Sequence, residues 1–317
     1  MNKKLRIVII TMGLSCIVKP LVESQDEVVG IVECAPRNGV KAGLLREFLD
    51  FIKNIIKWHT NLKGYAKQKR IPYMLLDKNN HNKVSEMIKG LNPDLIVVFS
   101  MSQLLRENIF SIPRLGTINL HPSLLPAYRG PDPTIWQYAD LMLHPGVTVH
   151  YIDEGEDTGD ILAQSVCEIS LGEPLERYNQ ILQSHGVVLL KNVIAQLRAG
   201  TADCKKQSLE SSTPRARLLK PGESRCFIQW QLWSVKRIWH ILHGLNTHYD
   251  FLEPPKFTAL GMSWRIGEWE ECKENHIPED IYIENGKRYI ACKDGRIRLY
   301  MRFSLRKLLR NLRKLFR

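Results

Sequence analysis

The feature that most constrains the fold is a series of short, unbroken apolar runs. Ile7-Val8-Ile9-Ile10, Val28-Val29-Gly30-Ile31-Val32 and Leu95-Ile96-Val97-Val98-Phe99 (the last just after Asn92-Pro93) show no polar alternation, and Gly116 to His121 follows in the same style. Such runs are short for core helices and read as strands buried on both faces. A strand buried on both faces belongs to a parallel sheet covered by helices on each side. The intervening segments supply those helices. Gly13 to Ser24 can form one, and Leu44, Leu45, Phe48, Leu49, Ile52, Ile55 and Ile56 follow the 3.6-residue period of another, a stripe that reads as core packing.

The second half changes character. Leu175 to Leu197 predicts a long helix ending near Gly200. Residues 201–223 are polar, with Ser211-Ser212-Thr213-Pro214 and Lys220-Pro221-Gly222 as turn signals. A helix is then expected within Trp230 to Leu245. Short strands follow at Phe257–Leu260, Trp264–Trp269, Ile281–Glu284, Tyr289–Cys292 and Ile297–Phe303, with Asn285-Gly286 and Asp294-Gly295 as hairpin turns. The expected fold is α/β: a Rossmann-like, mostly parallel sheet with helices on both faces, then a smaller OB-like, β-rich C-terminal domain. The boundaries are a catalytic domain at 1–203, a linker at 204–223, the small domain at 224–303 and a basic tail at 304–317.

Charge and cysteine usage narrow the setting. The chain carries a net charge of +12, and the tail alone holds Arg306, Lys307, Arg310, Arg313, Lys314 and Arg317 without an acid. Its leucines, with Phe316, share one helical face, which suits an anionic membrane surface. RNA phosphate, a helix closing the small barrel and a disordered end are the other readings. The seven cysteines are scattered, with no C-x-x-C, so reduced thiols in the cytoplasm are expected and no zinc site is. The run Ile7–Ile10 is too short for a secretory leader, and no apolar stretch approaches the span of a bilayer. The expected place is therefore the cytoplasm, with peripheral contact at its membrane through the tail.

The chemistry concentrates in two segments. Asn119-Leu120-His121-Pro122-Ser123-Leu124-Leu125-Pro126 continues through Tyr128-Arg129-Gly130, and Val147-Thr148-Val149-His150-Tyr151-Ile152 leads into Asp153-Glu154-Gly155-Glu156-Asp157-Thr158-Gly159-Asp160. Asn119 and His121 are two residues apart, so on a strand they leave the same face. The Pro- and Gly-rich stretch after them has to be a loop. A carboxamide can donate to an oxygen that becomes negative, a histidine can move a proton near neutrality, and a carboxylate can orient the histidine or a water. Amide, imidazole and carboxylate together suit attack on a carbonyl through a tetrahedral intermediate, with the acceptor itself as nucleophile. Taken singly, His121 reads as a structural histidine, Asn119 as a cap and Asp157-Thr158-Gly159 as a turn.

Taken together, these residues resemble the folate-dependent formyltransferase family, which includes methionyl-tRNA formyltransferases and amino-sugar nucleotide N-formyltransferases. The resemblance rests on Ile118 to Pro126, Tyr128-Arg129-Gly130, Gly146 to Val149 and Asp157 to Asp160, in that order. It implies 10-formyl-tetrahydrofolate as formyl donor, a primary amine as acceptor, and no metal or nicotinamide. It implies Asn119, His121 and Asp157 as catalytic residues, and Ser102, Gln103, Leu104, Leu105, Asp153, Glu154, Gly155 and Glu156 around the folate, largely through main chain. Ser123, Tyr128, Arg129 and Gly130 would meet the acceptor, with Arg129 suited to a diphosphate. The opening Thr11-Met12-Gly13-Leu14 and the long amphipathic stretch after Arg37-Asn38-Gly39 differ from the tRNA enzymes' pattern. The acceptor so implied is the amino group of a nucleotide-linked sugar, as in cell-surface polysaccharide synthesis. Methionyl-tRNA is the alternative, and a non-catalytic folate- or nucleotide-binding protein is the alternative of another class.

Overall fold

The computed structural model describes residues 4–35, 61–255, 261–303, 305 and 308. The apolar stripe from Leu44 to Ile56, the strand expected at Phe257–Leu260 and nearly all of the basic tail lie outside the described residues. Two compact units are distinguished. One comprises Met1–Pro133, Pro145–Cys167 and Ile181–Arg217, and the other Thr134–His144, Glu168–Gln180 and Leu218–Arg317.

The first unit is built on a seven-stranded sheet in the order β3-β2-β1-β4-β5-β6-β7. Its strands are β1 (Arg6–Thr11), β2 (Glu27–Cys34), β3 (Tyr73–Leu76), β4 (Leu95–Phe99), β5 (Thr117–His121), β6 (Gly146–Tyr151) and β7 (Ile161–Val166). The first five run parallel, and β6 and β7 add antiparallel at one edge. The unbroken apolar runs are the central strands. Ile7 to Ile10 and Leu95 to Val98 are buried throughout, because helices cover both faces. On one face Val8, Ile10, Val29, Val32, Ile96 and Val98 pack with Val84 and Ile88 of the helix His81–Leu91. Strand order reverses between β1 and β4, and a crevice opens beyond the carboxyl ends of strands at such a reversal.

The second unit holds a four-stranded antiparallel sheet in the order β8-β11-β10-β9, from β8 (Met262–Glu271), β9 (Ile281–Glu284), β10 (Lys287–Cys292) and β11 (Gly295–Phe303). The helix Val235–Leu245 buries Val235, Ile238, Ile241, Leu242 and Leu245, an apolar stripe at helical spacing. Trp239 donates from its ring nitrogen to the Gly267 carbonyl at 2.6 Å, and Trp230 is buried. These tryptophans thus serve the packing of this unit.

Residues 204–217 depart from the expected linker. They belong to the first unit, where Lys205 bridges to Ile161 at the end of the sheet and later residues bond to the loops around Gly130 and Asp157. Their polar side chains supply hydrogen bonds to backbone instead of keeping a spacer solvated.

Candidate active site

The site grows out of the ends of β4, β5 and β6. On β5, Leu120 points to the face where Gly186 of the helix Leu175–Ala199 lies, so Asn119 and His121 leave the opposite face. On antiparallel β6, His150 pairs with Asn119 and Thr148 with His121. Thr148 fixes the loop after His121: its hydroxyl donates to the Ser123 carbonyl at 2.6 Å and accepts from the Leu125 amide at 3.1 Å. The loop then passes a cis Leu125–Pro126 bond and reaches Gly130 at φ +124°. A side chain at Gly130 would stand 2.8 Å from the Ala216 carbonyl oxygen, so the close approach requires glycine.

Asn119, His121 and Asp157 are brought together. His121 Nδ1 lies 3.5 Å from Asp157 Oδ2, and Asn119 Nδ2 lies 3.5 Å from Asp157 Oδ1. The amide of Gly130 donates to Asp157 Oδ2 at 2.9 Å. His121 Nε2 is 3.1 Å from the Tyr128 carbonyl oxygen. A carbonyl only accepts, so Nε2 carries the proton and Nδ1 is the atom that faces the carboxylate.

A fourth residue completes the cluster. His150 Nδ1 is 2.7 Å from the Tyr151 carbonyl oxygen and so is protonated, which leaves Nε2 to accept from Asn119 Nδ2 at 3.1 Å. Its Nε2 also lies 3.7 Å from Asp157 Oδ1. Burial pushes the His150 imidazolium pKa down to about 4; the Asp157 carboxylate opposes that fall and His121 adds to it. His150 was not singled out from the sequence. The available signal was a polar pair, Thr148 and His150, alternating with buried valines on a strand opposite Asn119 and His121.

The cleft above these residues has a volume of about 230 Å³. It is lined by Val98 to Met101 and Gln103 to Leu105, at and after the end of β4, by Asn119 to Pro122, by Gly130, Pro131 and Pro133, and by His150, Ile152, Asp153 and Gly155 to Asp157. Of the residues expected around the folate, Gln103, Leu104, Leu105, Asp153, Gly155 and Glu156 line this cleft. Ser102 does not line the cleft, its hydroxyl donating to the Ala35 carbonyl at 2.6 Å, and Glu154 is exposed outside it.

The residues expected to meet the acceptor divide differently. Gly130 lines the cleft. Ser123 is fully buried and donates to the Ala127 carbonyl at 2.7 Å, and the Tyr128 side chain is buried. Arg129, expected to meet phosphate, braces the fold. Its Nε donates to the Asp157 carbonyl at 3.2 Å, Nη1 to the Leu209 carbonyl at 3.1 Å, and Nη2 to Gln207 Oε1 at 2.8 Å and the Ser208 carbonyl at 2.7 Å. Its fork is committed to the scaffold. Among the described residues, no group of three or more His, Cys, Asp or Glu side chains is placed to hold a metal ion.

Residues 59–194 match the family model described as formyl transferase. The chain is 34% identical over 240 residues to the methionyl-tRNA formyltransferase of Geobacter metallireducens, covering 75% of this chain and 74% of that one. The chain belongs to the folate-dependent formyltransferase family. In fold, it is similar to an N-formyltransferase from Helicobacter canadensis, solved with folinic acid and dTDP-3-aminofucose, with a TM-score of 0.64 at 16% identity, covering 94% of this chain and all (100%) of that chain. It is likewise similar to WlaRD, a sugar 3N-formyl transferase solved with dTDP and 5-N-formyl-THF, with a TM-score of 0.59 at 17% identity over 94% and 98% of the two chains. The two-unit organisation of this formyltransferase is thus that of enzymes with a C-terminal domain. Among its described residues, no helix is long and apolar enough to cross a membrane.

Proposed function

We propose that this formyltransferase moves the formyl group of 10-formyl-tetrahydrofolate to a primary amine, and that the amine belongs to a nucleotide-linked amino sugar. The observation that carries formyl transfer is the convergence of Asn119, His121 and Asp157 at the floor of one cleft. The amine attacks as its neutral form. As the formyl carbon becomes tetrahedral, its oxygen gains negative charge. Asn119 holds one N–H on His150, and the other, held only by the 3.5 Å contact to Asp157, is available for that oxygen. A proton leaving the amine reaches His121 Nδ1, where Asp157 stabilises the imidazolium. The folate nitrogen then leaves and recovers a proton.

The cleft suits a pterin. Gln103 lines it, and Gln103 Nε2 is buried with no hydrogen-bond partner among the described residues. A buried amide donor in that condition favours a ligand acceptor beside it. The sugar-nucleotide reading is supported by the end-to-end likeness to sugar N-formyltransferases and by the opening Thr11 to Leu14. A second reading, initiator methionyl-tRNA, is favoured by the sequence relatives, which are methionyl-tRNA formyltransferases. The test is an acceptor screen with 10-formyl-tetrahydrofolate, following tetrahydrofolate release over amino-sugar nucleotides and charged initiator tRNA. Turnover with a sugar nucleotide alone supports the proposal. Turnover with tRNA alone replaces it by the second reading, and donor binding without turnover on any acceptor refutes both acceptor readings.

A further inference from the structure

Residues 205–217 run along both loops that shape the candidate site. Thr213 Oγ1 accepts from the Tyr128 amide at 2.6 Å, and the Ala216 amide donates to the Arg129 carbonyl at 2.7 Å. Arg215 forms a two-bond ion pair with Glu156, next to Asp157. Gln207 sits at the centre of this strap. Its Nε2 donates to the carbonyls of Asp157, at 3.1 Å, and Gly159, at 2.5 Å, while its Oε1 accepts from Arg129 Nη2 at 2.8 Å. The Arg129 Nε bond to the Asp157 carbonyl closes the bracket.

We propose that Gln207 and Arg129 are positioning residues that hold Asp157 in a left-handed backbone conformation and so aim its carboxylate at His121 and Gly130. This rests on the role proposed above for Asp157. Asp157 has φ +57°, a region that residues with a side chain occupy at a cost. The direction of its Cα–Cβ bond follows from that backbone setting. Apart from the Gly130 amide at 2.9 Å, the contacts of its carboxylate with Asn119, His121 and His150 are long, 3.5 to 3.7 Å, so side-chain bonds alone fix it weakly. The carbonyl, in contrast, takes two donors from chain segments far apart in sequence. The chemistry of the bracket is also unambiguous: two carbonyls demand the amide nitrogen of Gln207, and the guanidinium demands its oxygen.

Two substitutions test this. Gln207→Leu removes both donors. Gln207→Glu keeps the size and the acceptor for Arg129 but sets a carboxylate oxygen against two carbonyls. Both are expected to lower kcat about 100-fold while the donor KM stays within about twofold, since the loss is of orientation and not of binding. In crystal structures of both variants, Asp157 is expected to leave the left-handed region. A Gln207→Glu enzyme with wild-type kcat, or either variant with Asp157 still at positive φ, overturns the proposal. The structural readout needs no acceptor. Displaced Asp157 in variants of a wild type that turns over nothing would refute the catalytic reading and leave the bracket standing.

Discussion

The sharpest physical prediction concerns the charge on His150 as pH falls. Its ring is 2% exposed, and burial holds its pKa near 4 in place of 6.5. At pH 5.5 a free imidazole is about nine-tenths protonated, whereas a ring of that lowered pKa is protonated in about one molecule in thirty. The unfolded chain therefore binds a proton that the folded chain refuses, and stability must fall as pH drops from 6.5 towards 4. The sign is fixed: the contribution is fully present above the unfolded value and is lost below it. A shift of that size corresponds to roughly 3 kcal/mol for this one ring. Long-range proton–nitrogen correlation spectra of the imidazoles should show His150 neutral at pH 5.5 with the proton on Nδ1. Urea unfolding of the wild type and of His150→Gln, compared between pH 7 and pH 4.5, should show a flatter pH dependence in the variant. His240 in the other unit, also lowered to about 4 by burial, retains its own share in both proteins, so the difference reports His150 together with its coupling to Asp157 and His121. Asp157→Asn removes the carboxylate that opposes the shift and should lower the His150 value further. A His150 that titrates near 6.5 would refute the burial argument, and one that carries its proton on Nε2 would refute the assigned orientation of the Asn119 amide.

Three further outcomes follow from the same geometry. His121→Gln and Asp157→Asn should each reduce turnover by about 100- to 10,000-fold with the melting temperature retained, measured as tetrahydrofolate release; near-normal rates in either would remove it from the mechanism. Gly130→Ala forces a Cβ against the Ala216 carbonyl at φ +124° and should cost about 2 kcal/mol in denaturant unfolding. Arg129→Lys cannot reproduce four bonds from one planar fork, and should lower stability by about 2 kcal/mol without a selective rise in acceptor KM.

What could be read from the chain, and what could not, divides along a physical line. Strands buried on both faces announce themselves, because only continuous apolar residues tolerate that position; Ile7–Ile10 and Leu95–Phe99 needed no tertiary information. β7 is an edge strand whose residues are half-exposed, and its sequence Ile161 to Val166 carries no comparable signal. The pairing of Asn119 with His121 followed from strand alternation alone. His150 did not, since its meaning depends on which strand lies opposite, and register is a long-range property. Polarity misled in a similar way at 204–217. Gln207, Ser211 and Thr213 have the composition of a solvated spacer, yet each bonds to backbone of a neighbouring loop.

Arg129 shows why residue type and position do not suffice to assign a role. A guanidinium beside a catalytic loop is well suited to phosphate, and chemical reasoning from sequence favours that use. Buried here to 9% exposure, it meets four neutral acceptors, three of them backbone carbonyls. Turning it towards a ligand would strip the Leu209 and Ser208 carbonyls of this donor and leave the Asp157 carbonyl to Gln207 alone. The fork that would suit a diphosphate is here occupied by the scaffold around Asp157. The influence proposed for this arginine on the chemistry therefore runs through the backbone of Asp157.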